Sequence, residues 1–227
     1  MTEKESTRSS WHRTLAENRT APLWGKAAEK LRSMREYRDA ATVFATPEES
    51  LHQARINCLV DGKGLVMPGP SIRKGFFLLP AHSVSFQNLS AAATYKGLEK
   101  HGQLLKNDAI EKLSLGLLLT GSLAVDLEGG RIGDGKGFFD LCCAIFQELG
   151  ALEQNWTALT FIREEQISLD LLPQDKWDIK MSGAVTPYRM HVFNPPCLKP
   201  EIYWDELPSP RLKKIEPLWK IYSARTA

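Results

Sequence analysis

The sequence has few cysteines, and the four it carries (Cys58, Cys142, Cys143 and Cys197) include no C-x-x-C pair. That spacing offers neither a zinc site nor a disulfide framework, so buried reduced thiols are expected. Charge of one sign is equally scarce. With 29 Lys and Arg against 27 Asp and Glu the net charge is +2, which argues against a dedicated nucleic-acid binder, whose domain carries a clear basic excess. Residues 1–20 hold no apolar stretch of the signal-peptide kind, and no apolar run approaches the ~20 residues that cross a bilayer. A cytoplasmic chain without a membrane partner is expected, as a monomer or weak homodimer. There is no internal repeat, no low-complexity segment and no nucleophile-elbow motif, so hydrolase chemistry of the Ser/His type has no support.

What is present suits one α/β domain. The 227 residues are 43% hydrophobic and 25% charged, ordinary values for a globular chain long enough to bury roughly 70% of its unfolded surface. Helical spacing of Trp11 and Leu15 predicts a helix over about 7–18, and Trp24, Ala27, Leu31 and Met34 predict a second over about 23–37. Short apolar runs at 41–45, 64–68 and 75–79 read as strands, with a helix from Thr46-Pro47-Glu48-Glu49 to Asp61-Gly62 between the first two. The run from Lys112 to Val125 reads as one strand covered on both faces. A helix over 137–149 and strands over 157–162 and 184–192 follow. The Pro-, Trp- and Tyr-rich residues 193–227 are expected to pack as a tail on a domain of residues 1–192. Alternating strands and helices predict a mostly parallel sheet with helices on both faces.

The chemistry concentrates in Arg131-Ile132-Gly133-Asp134-Gly135-Lys136-Gly137-Phe138-Phe139-Asp140. Glycine lets a ligand approach the main chain closely. A strand before the loop and a helix after it aim backbone N–H groups and a helix N-terminus at one spot, where an anion is favoured. Arg131 and Lys136 add positive charge there, and Asp140 offers the hard oxygen ligands that magnesium takes. The order matches neither a P-loop nor a dinucleotide fingerprint, so on its own the motif is weak and a plain glycine-rich connection stays open. Elsewhere the residues are ambiguous taken singly. Lys4 and Arg8 read equally as solvated helix charges, Glu48 as a carboxylate favouring a helix N-terminus, with Glu49 competing for any role, and Asp178 as a turn cap.

Arg131 to Asp140 resembles the hallmark R-[LI]-G-x-G-[GK]-G-[YF]-[YF]-D of the 5-formyltetrahydrofolate cyclo-ligase family. Three further motifs in the right order resemble it too: Lys4 and Arg8 four apart, Gly62-Lys63 with Val66-Met67-Pro68, and Asp175 to Met181. The resemblance implies a CoA-transferase-like three-layer α/β/α sandwich. It also implies closure of 5-formyltetrahydrofolate to 5,10-methenyltetrahydrofolate by phosphoryl transfer from ATP to the formyl oxygen. It places ATP binding on Lys4, Arg8, Arg131, Gly133, Asp134, Gly135, Lys136, Gly137, Phe138 and Phe139, catalysis on Lys136 and Arg131, substrate binding on Glu48 and Phe138, and magnesium on Asp140 and Asp178. Lys4 and Arg8 must then lie beside the loop, and Asp178 near Asp140. The chain departs from the pattern on the folate side. Phe138-Phe139 stands for the usual Tyr-Tyr, Leu51 for a Thr, Ser182 for a second Asp, and no I-x-E-P segment is found over residues 88–115. A related ATP-using enzyme with another substrate, or a nucleotide-binding protein without catalysis, are the other readings.

Overall fold

Period-two burial explains the architecture. In strand β1 (Thr42–Ala45) Val43 and Ala45 point to one face and Phe44 to the other, and all three are fully buried. The same alternation in β2 (Gly64–Pro68), β3 (Phe76–Leu79) and β5 (Leu115–Gly121) divides the core into two layers, one on each side of a single sheet. The structure, a computed structural model, describes residues 2–17, 23–195 and 199–226; Cys197 lies outside them.

The sheet has eight strands in the order β11-β10-β8-β5-β1-β2-β3-β4, with β4 at Gln103–Leu105, β8 at Leu152–Phe161, β10 at Gly183–Val185 and β11 at Met190–Val192. From β10 to β2 the pairs are parallel; β3, β4 and β11 join antiparallel at the edges. Helices α1 (Glu3–Glu17), α2 (Trp24–Ser33), α3 (Arg35–Asp39) and α4 (His52–Val60) open the chain. Short helices α5 (Leu89–Ala92), α6 (Tyr95–His101) and α7 (Asn107–Ile110) precede α8 (Phe138–Glu148). The last two are α9 (Ser209–Lys214) and α10 (Glu216–Thr226). Residues of α2, α4, α5 and α6 fill one layer of the core, and those of α8, α9 and α10 fill the other. The expected three-layer α/β/α arrangement therefore holds.

Several expected elements differ, and three of them change the reading of the chain. The run 112–125 is two strands: β5 ends at Gly121, and β6 (Ala124–Asp126) belongs to a separate three-stranded sheet with β7 (Arg131–Ile132) and β9 (Ile167–Ser168). Both halves are buried, so hydropathy does not mark the step between sheets. The expected strand 184–192 is an antiparallel hairpin, closed by a bond from the Thr186 amide to the Arg189 carbonyl at 3.0 Å. The second helix breaks at Met34, whose ψ of 147° is extended. Residues 199–226, expected as a packed tail, contribute Ile202, Leu212, Ile215, Leu218 and Ile221 to the core layer that also contains Phe146. Cys58, Cys142 and Cys143 are buried and unpaired. No helix among the described residues is long and apolar enough to cross a membrane.

The chain runs from β1 to β2, β3 and β4 on one side and then crosses over to β5 on the other. The carboxyl ends of β1 and β5 thus form a topological switch point, where open α/β sheets place ligands. The corner after β1 is held by Arg55 of α4, buried at 2% exposure. Its guanidinium donates to the carbonyls of Ala93 (2.9 Å), Thr46 (2.7 Å) and Glu48 (2.9 Å). Burial pushes its pKa down to about 10, yet three carbonyls keep the cation satisfied. Each buried polar group left unpaired costs about 1–3 kcal/mol. Arg55→Met is therefore expected to lower unfolding free energy by about 3 kcal/mol or more in urea titration; an unchanged midpoint would contradict this role.

Candidate functional site

A cavity of about 660 Å³ opens at that switch point, within the range of small-molecule sites. Its floor is Thr46, Pro47 and Glu48 after β1 and Thr120-Gly121 at the end of β5; one wall is Arg131 with Gly133 to Cys142, and the other is contributed by Asp175–Asp178 and Glu201–Arg211. Every residue assigned a role from the sequence lines it: Lys4, Arg8, Glu48, Arg131, Gly133, Asp134, Gly135, Lys136, Gly137, Phe138, Phe139, Asp140 and Asp178.

The glycine loop is open because of what precedes and follows it. Buried Asp126 at the end of β6 accepts from the amides of Glu128, Gly130 and Leu172 at 2.8–2.9 Å. This closes the turn into β7, which carries Arg131. The loop then reaches α8 through Gly137, at φ 60° the N-cap of that helix. Among the described residues the amides of Gly133, Gly135 and Gly137 have no hydrogen-bond partner, while the Lys136 amide donates to Asp134 Oδ1 at 3.0 Å. Gly135 has a positive φ of 85°, and a Cβ there would meet the Arg8 guanidinium carbon at 2.8 Å. That positive φ favours glycine, and a side chain there would have to push the Arg8 guanidinium aside. Arg8 Nε in turn donates to the Gly133 carbonyl at 3.1 Å, which brings α1 onto the loop.

The charges are arranged as two coupled pairs. Arg131, 7% exposed, donates from Nη2 to both oxygens of Asp140, at 3.2 and 3.0 Å. Burial opposes the guanidinium charge, but Asp140 outweighs it and raises the pKa. The Ile179 amide also donates to Asp140 Oδ1, at 3.0 Å. One residue back, Asp178 takes a hydrogen bond from the Asp175 amide at 2.7 Å and forms an ion pair with Lys4; Lys4 also reaches Asp175 at 2.8 Å. Burial pushes the Asp178 carboxyl up against the pull of Lys4, and the negative charge of Asp140 adds to the rise. Arg131 Nε is buried without a partner. Lys136 is exposed and pairs with Asp134 at 3.1 Å.

The aromatic pair divides. Phe139 is buried, under the Arg131 guanidinium at 4.9 Å and near Phe44 at 6.4 Å. Phe138 is half-buried and carries the Arg211 guanidinium over its ring at 5.3 Å. Glu48, not Glu49, lines the cavity; its Cβ and Cγ sit 3.4 and 3.3 Å from where a Gly121 Cβ would be. Glu48 is exposed to the cavity, and the protein packed around it raises its pKa by desolvation against the opposing effects of Thr46, Arg131 and Arg55. Ser182, standing where the family pattern has an Asp, turns instead to the sheet, where its Oγ accepts from the Ala158 amide at 3.2 Å.

Sequence reasoning missed Tyr95, Trp177, Tyr203 and Arg211, which also line the cavity. Trp177 was visible as the neighbour of Asp178. Tyr203, grouped with the tail's packing aromatics, instead meets Trp177 edge-on at 6.3 Å at the wall, whereas Trp204 and Trp219 do pack against Tyr222. Arg211 gave no signal, because nothing local in the sequence ties it to a loop 75 residues away.

Breaking one side of a buried ion pair costs about 3–5 kcal/mol, so Arg131→Ala should lower unfolding free energy by about that much. A surface-like loss below about 1 kcal/mol would refute the burial of the pair. Glu48 links stability to pH. With its folded pKa raised, the folded state binds the proton more tightly, so stability falls as pH rises from the ordinary Glu value through the folded one. Glu48→Gln should remove part of that fall in urea midpoints measured across the acid range; Asp178, raised likewise, adds to the fall, and Asp61 and Glu164, with lowered pKa values, oppose it.

Comparison with known proteins converges on one family. The chain is 26% identical over 203 residues to the methenyltetrahydrofolate synthase domain-containing protein of Danio rerio, covering 86% of this chain and 52% of that protein. It is 28% identical over 198 residues to the protein of that name from Bos taurus, covering 84% and 50%. The chain thus spans about half the length of the curated relatives it matches. Among solved structures, the fold is similar to the 5,10-methenyltetrahydrofolate synthetase of Aquifex aeolicus, with a TM-score of 0.51 and 21% identity over 82% of this chain and 88% of that one. The enzyme of that name from Mycoplasma pneumoniae gives a TM-score of 0.52 with 10% identity over 82% and 99%. The model of the 5-formyltetrahydrofolate cyclo-ligase family matches residues 7–187, and the chain belongs to that family.

Proposed function

We propose that this chain closes 5-formyltetrahydrofolate to 5,10-methenyltetrahydrofolate at the expense of ATP, with magnesium. The observation that carries the reading is convergence: Lys4 and Arg8 of α1, Arg131, Lys136, Asp140 and Asp178 meet around one glycine loop in one cavity. In this reading the unpaired loop amides and the N-terminus of α8 hold phosphate oxygens of ATP, with Arg8 and Lys136 as neighbouring cations. The formyl oxygen attacks the γ-phosphorus and ADP leaves. N10 then attacks the formyl carbon and loses its proton, and the C–O bond breaks to release phosphate. Such chemistry asks mainly for positioning and for neutralising the moving phosphoryl group.

The donor set suits magnesium. The Ile179 amide bound to Asp140 brings Asp178 to the same part of the cavity, and a hard divalent cation favours carboxylate oxygens. Bound there, magnesium would neutralise charge on the phosphates. Asp178 would hold it with Asp140, freeing Lys4 to turn to phosphate. Arg131 acts in this scheme by fixing Asp140 and the loop, and Glu48 orients the second substrate. Phe138 offers that substrate a ring face without a hydroxyl. A cytoplasmic location fits these substrates.

Methenyl product should absorb when the protein meets 5-formyltetrahydrofolate, ATP and magnesium, and Lys136→Ala should lower kcat/KM for ATP by about 10- to 100-fold, or about 1.4–2.8 kcal/mol. Stabilisation by magnesium-ATP without product would favour another second substrate, as the Phe138-Phe139 pair suggests. Absence of both product and a shift in melting temperature would overturn the nucleotide site.

A further inference from the structure

Beside the main cavity lies a groove of about 450 Å³, lined by Ser71, Arg73, Gly135, Lys136, Phe138, Pro208, Pro210, Arg211, Lys214 and Ile215. Its four charged residues, Arg73, Lys136, Arg211 and Lys214, are all cations, and no carboxylate lines it. Ser71, Gly135, Lys136, Phe138, Pro208 and Arg211 line both it and the main cavity. Lys4, Arg8, Asp140 and Asp178 line only the main cavity.

Three observations single the groove out. Among the described residues neither the Arg73 nor the Lys214 side chain has an ion-pair partner, although like charges gathered in one concavity repel and raise the local potential for anions. Arg211 is anchored: its Nη2 donates to the Lys136 carbonyl at 2.6 Å and its guanidinium lies over Phe138. The turn before Arg73 is strained, with Ser71 at φ 52° and Ile72 at φ 57°. A β-branched residue there is a true outlier, costing about 1–3 kcal/mol, and it is held by burial of Ile72 and by the bond from its amide to the Gly69 carbonyl at 2.9 Å. Arg211 and Lys214 lie outside the residues 7–187 that the family model matches.

We propose that this groove is an oxyanion subsite that takes a multiply charged carboxylate or phosphate group projecting from a ligand seated in the main cavity. Carboxylates of the second substrate are the favoured source, since Arg8, Gly133 and Gly137, which provide for phosphates, line the main cavity alone. Only this assignment of source rests on the proposed function.

The test uses the full chain with Arg73→Ala/Lys214→Ala; both residues are exposed and line the groove alone. Isothermal titration with tricarballylate and with inorganic pyrophosphate should show at least fivefold weaker binding of tricarballylate in the double variant. Lys213→Ala, which removes an exposed cation that does not line the groove, should bind as the parent does. In turnover, the KM for 5-formyltetrahydrofolate should rise fivefold or more while kcat and the KM for magnesium-ATP stay within twofold. A rise in the magnesium-ATP KM instead, with weaker pyrophosphate binding, would keep the subsite and identify its source as a nucleotide phosphate. Equal binding of both probes by parent and double variant would overturn the subsite, whether or not the folate turns over. Loss of tricarballylate binding in a protein that makes no methenyl product would retain the subsite and overturn only the proposed reaction.

Discussion

Much of the site hangs on the buried pair between Arg131 and Asp140. Arg131 stands at the entrance to the glycine loop and Asp140 in the first turn of the helix that leaves it, so their contact closes the loop on itself. Asp140 also receives the Ile179 amide. A third segment, some 40 residues on, is thereby docked against the loop, and Asp178 arrives with it. Taking two charges out of water is costly, and the cost is met only because both partners are hydrogen-bonded as well as paired. The Arg131–Asp140 pair closes the loop, the Ile179 amide on Asp140 places Asp178, and Asp178 with Asp175 docks Lys4.

Around it the cavity is assembled from remote pieces of chain. The sheet contributes the ends of β1 and β5, where the strand order reverses. The first helix contributes Lys4 and Arg8, the late segment Asp175 and Asp178, and the C-terminal helices Arg211. Each is fastened by a polar contact to main chain or to an opposite charge, not by apolar packing alone. This leaves loop amides and cations facing one space, an arrangement suited to anions that must be bound and then released. The paired cations and carboxylates also neutralise each other while no ligand is there, which keeps a charge-dense cavity tolerable to the fold.

The elements best legible in the sequence were those with a strong local period. β1 to β3, the helix after the glycine loop and the loop itself lie close to where hydropathy and glycine place them. The long run 112–125 misled because burial continues across the passage from one sheet to another, and periodicity reports burial, not partners. The hairpin at 183–192 was marked by Pro187 but read as continuous, since both of its arms favour strand. In the site, residue types and spacing singled out the loop, and the family resemblance linked it to Lys4, Arg8, Glu48 and Asp178. Ser182, where the chain departs from the family pattern, serves the sheet; Phe139 packs in the core and also lines the cavity.

By itself the sequence determined the class of the fold, the glycine loop and its cations, since these follow from local pattern and from residues that only certain backbones admit. Tertiary structure alone decided that Glu48 and not Glu49 faces the cavity, that Asp140 is tied to Arg131, and that Arg211 returns from the C-terminal helices to cover Phe138. These are contacts between residues far apart in the chain. Their energies depend on burial and on the direction of single hydrogen bonds, neither of which any local stretch of sequence encodes.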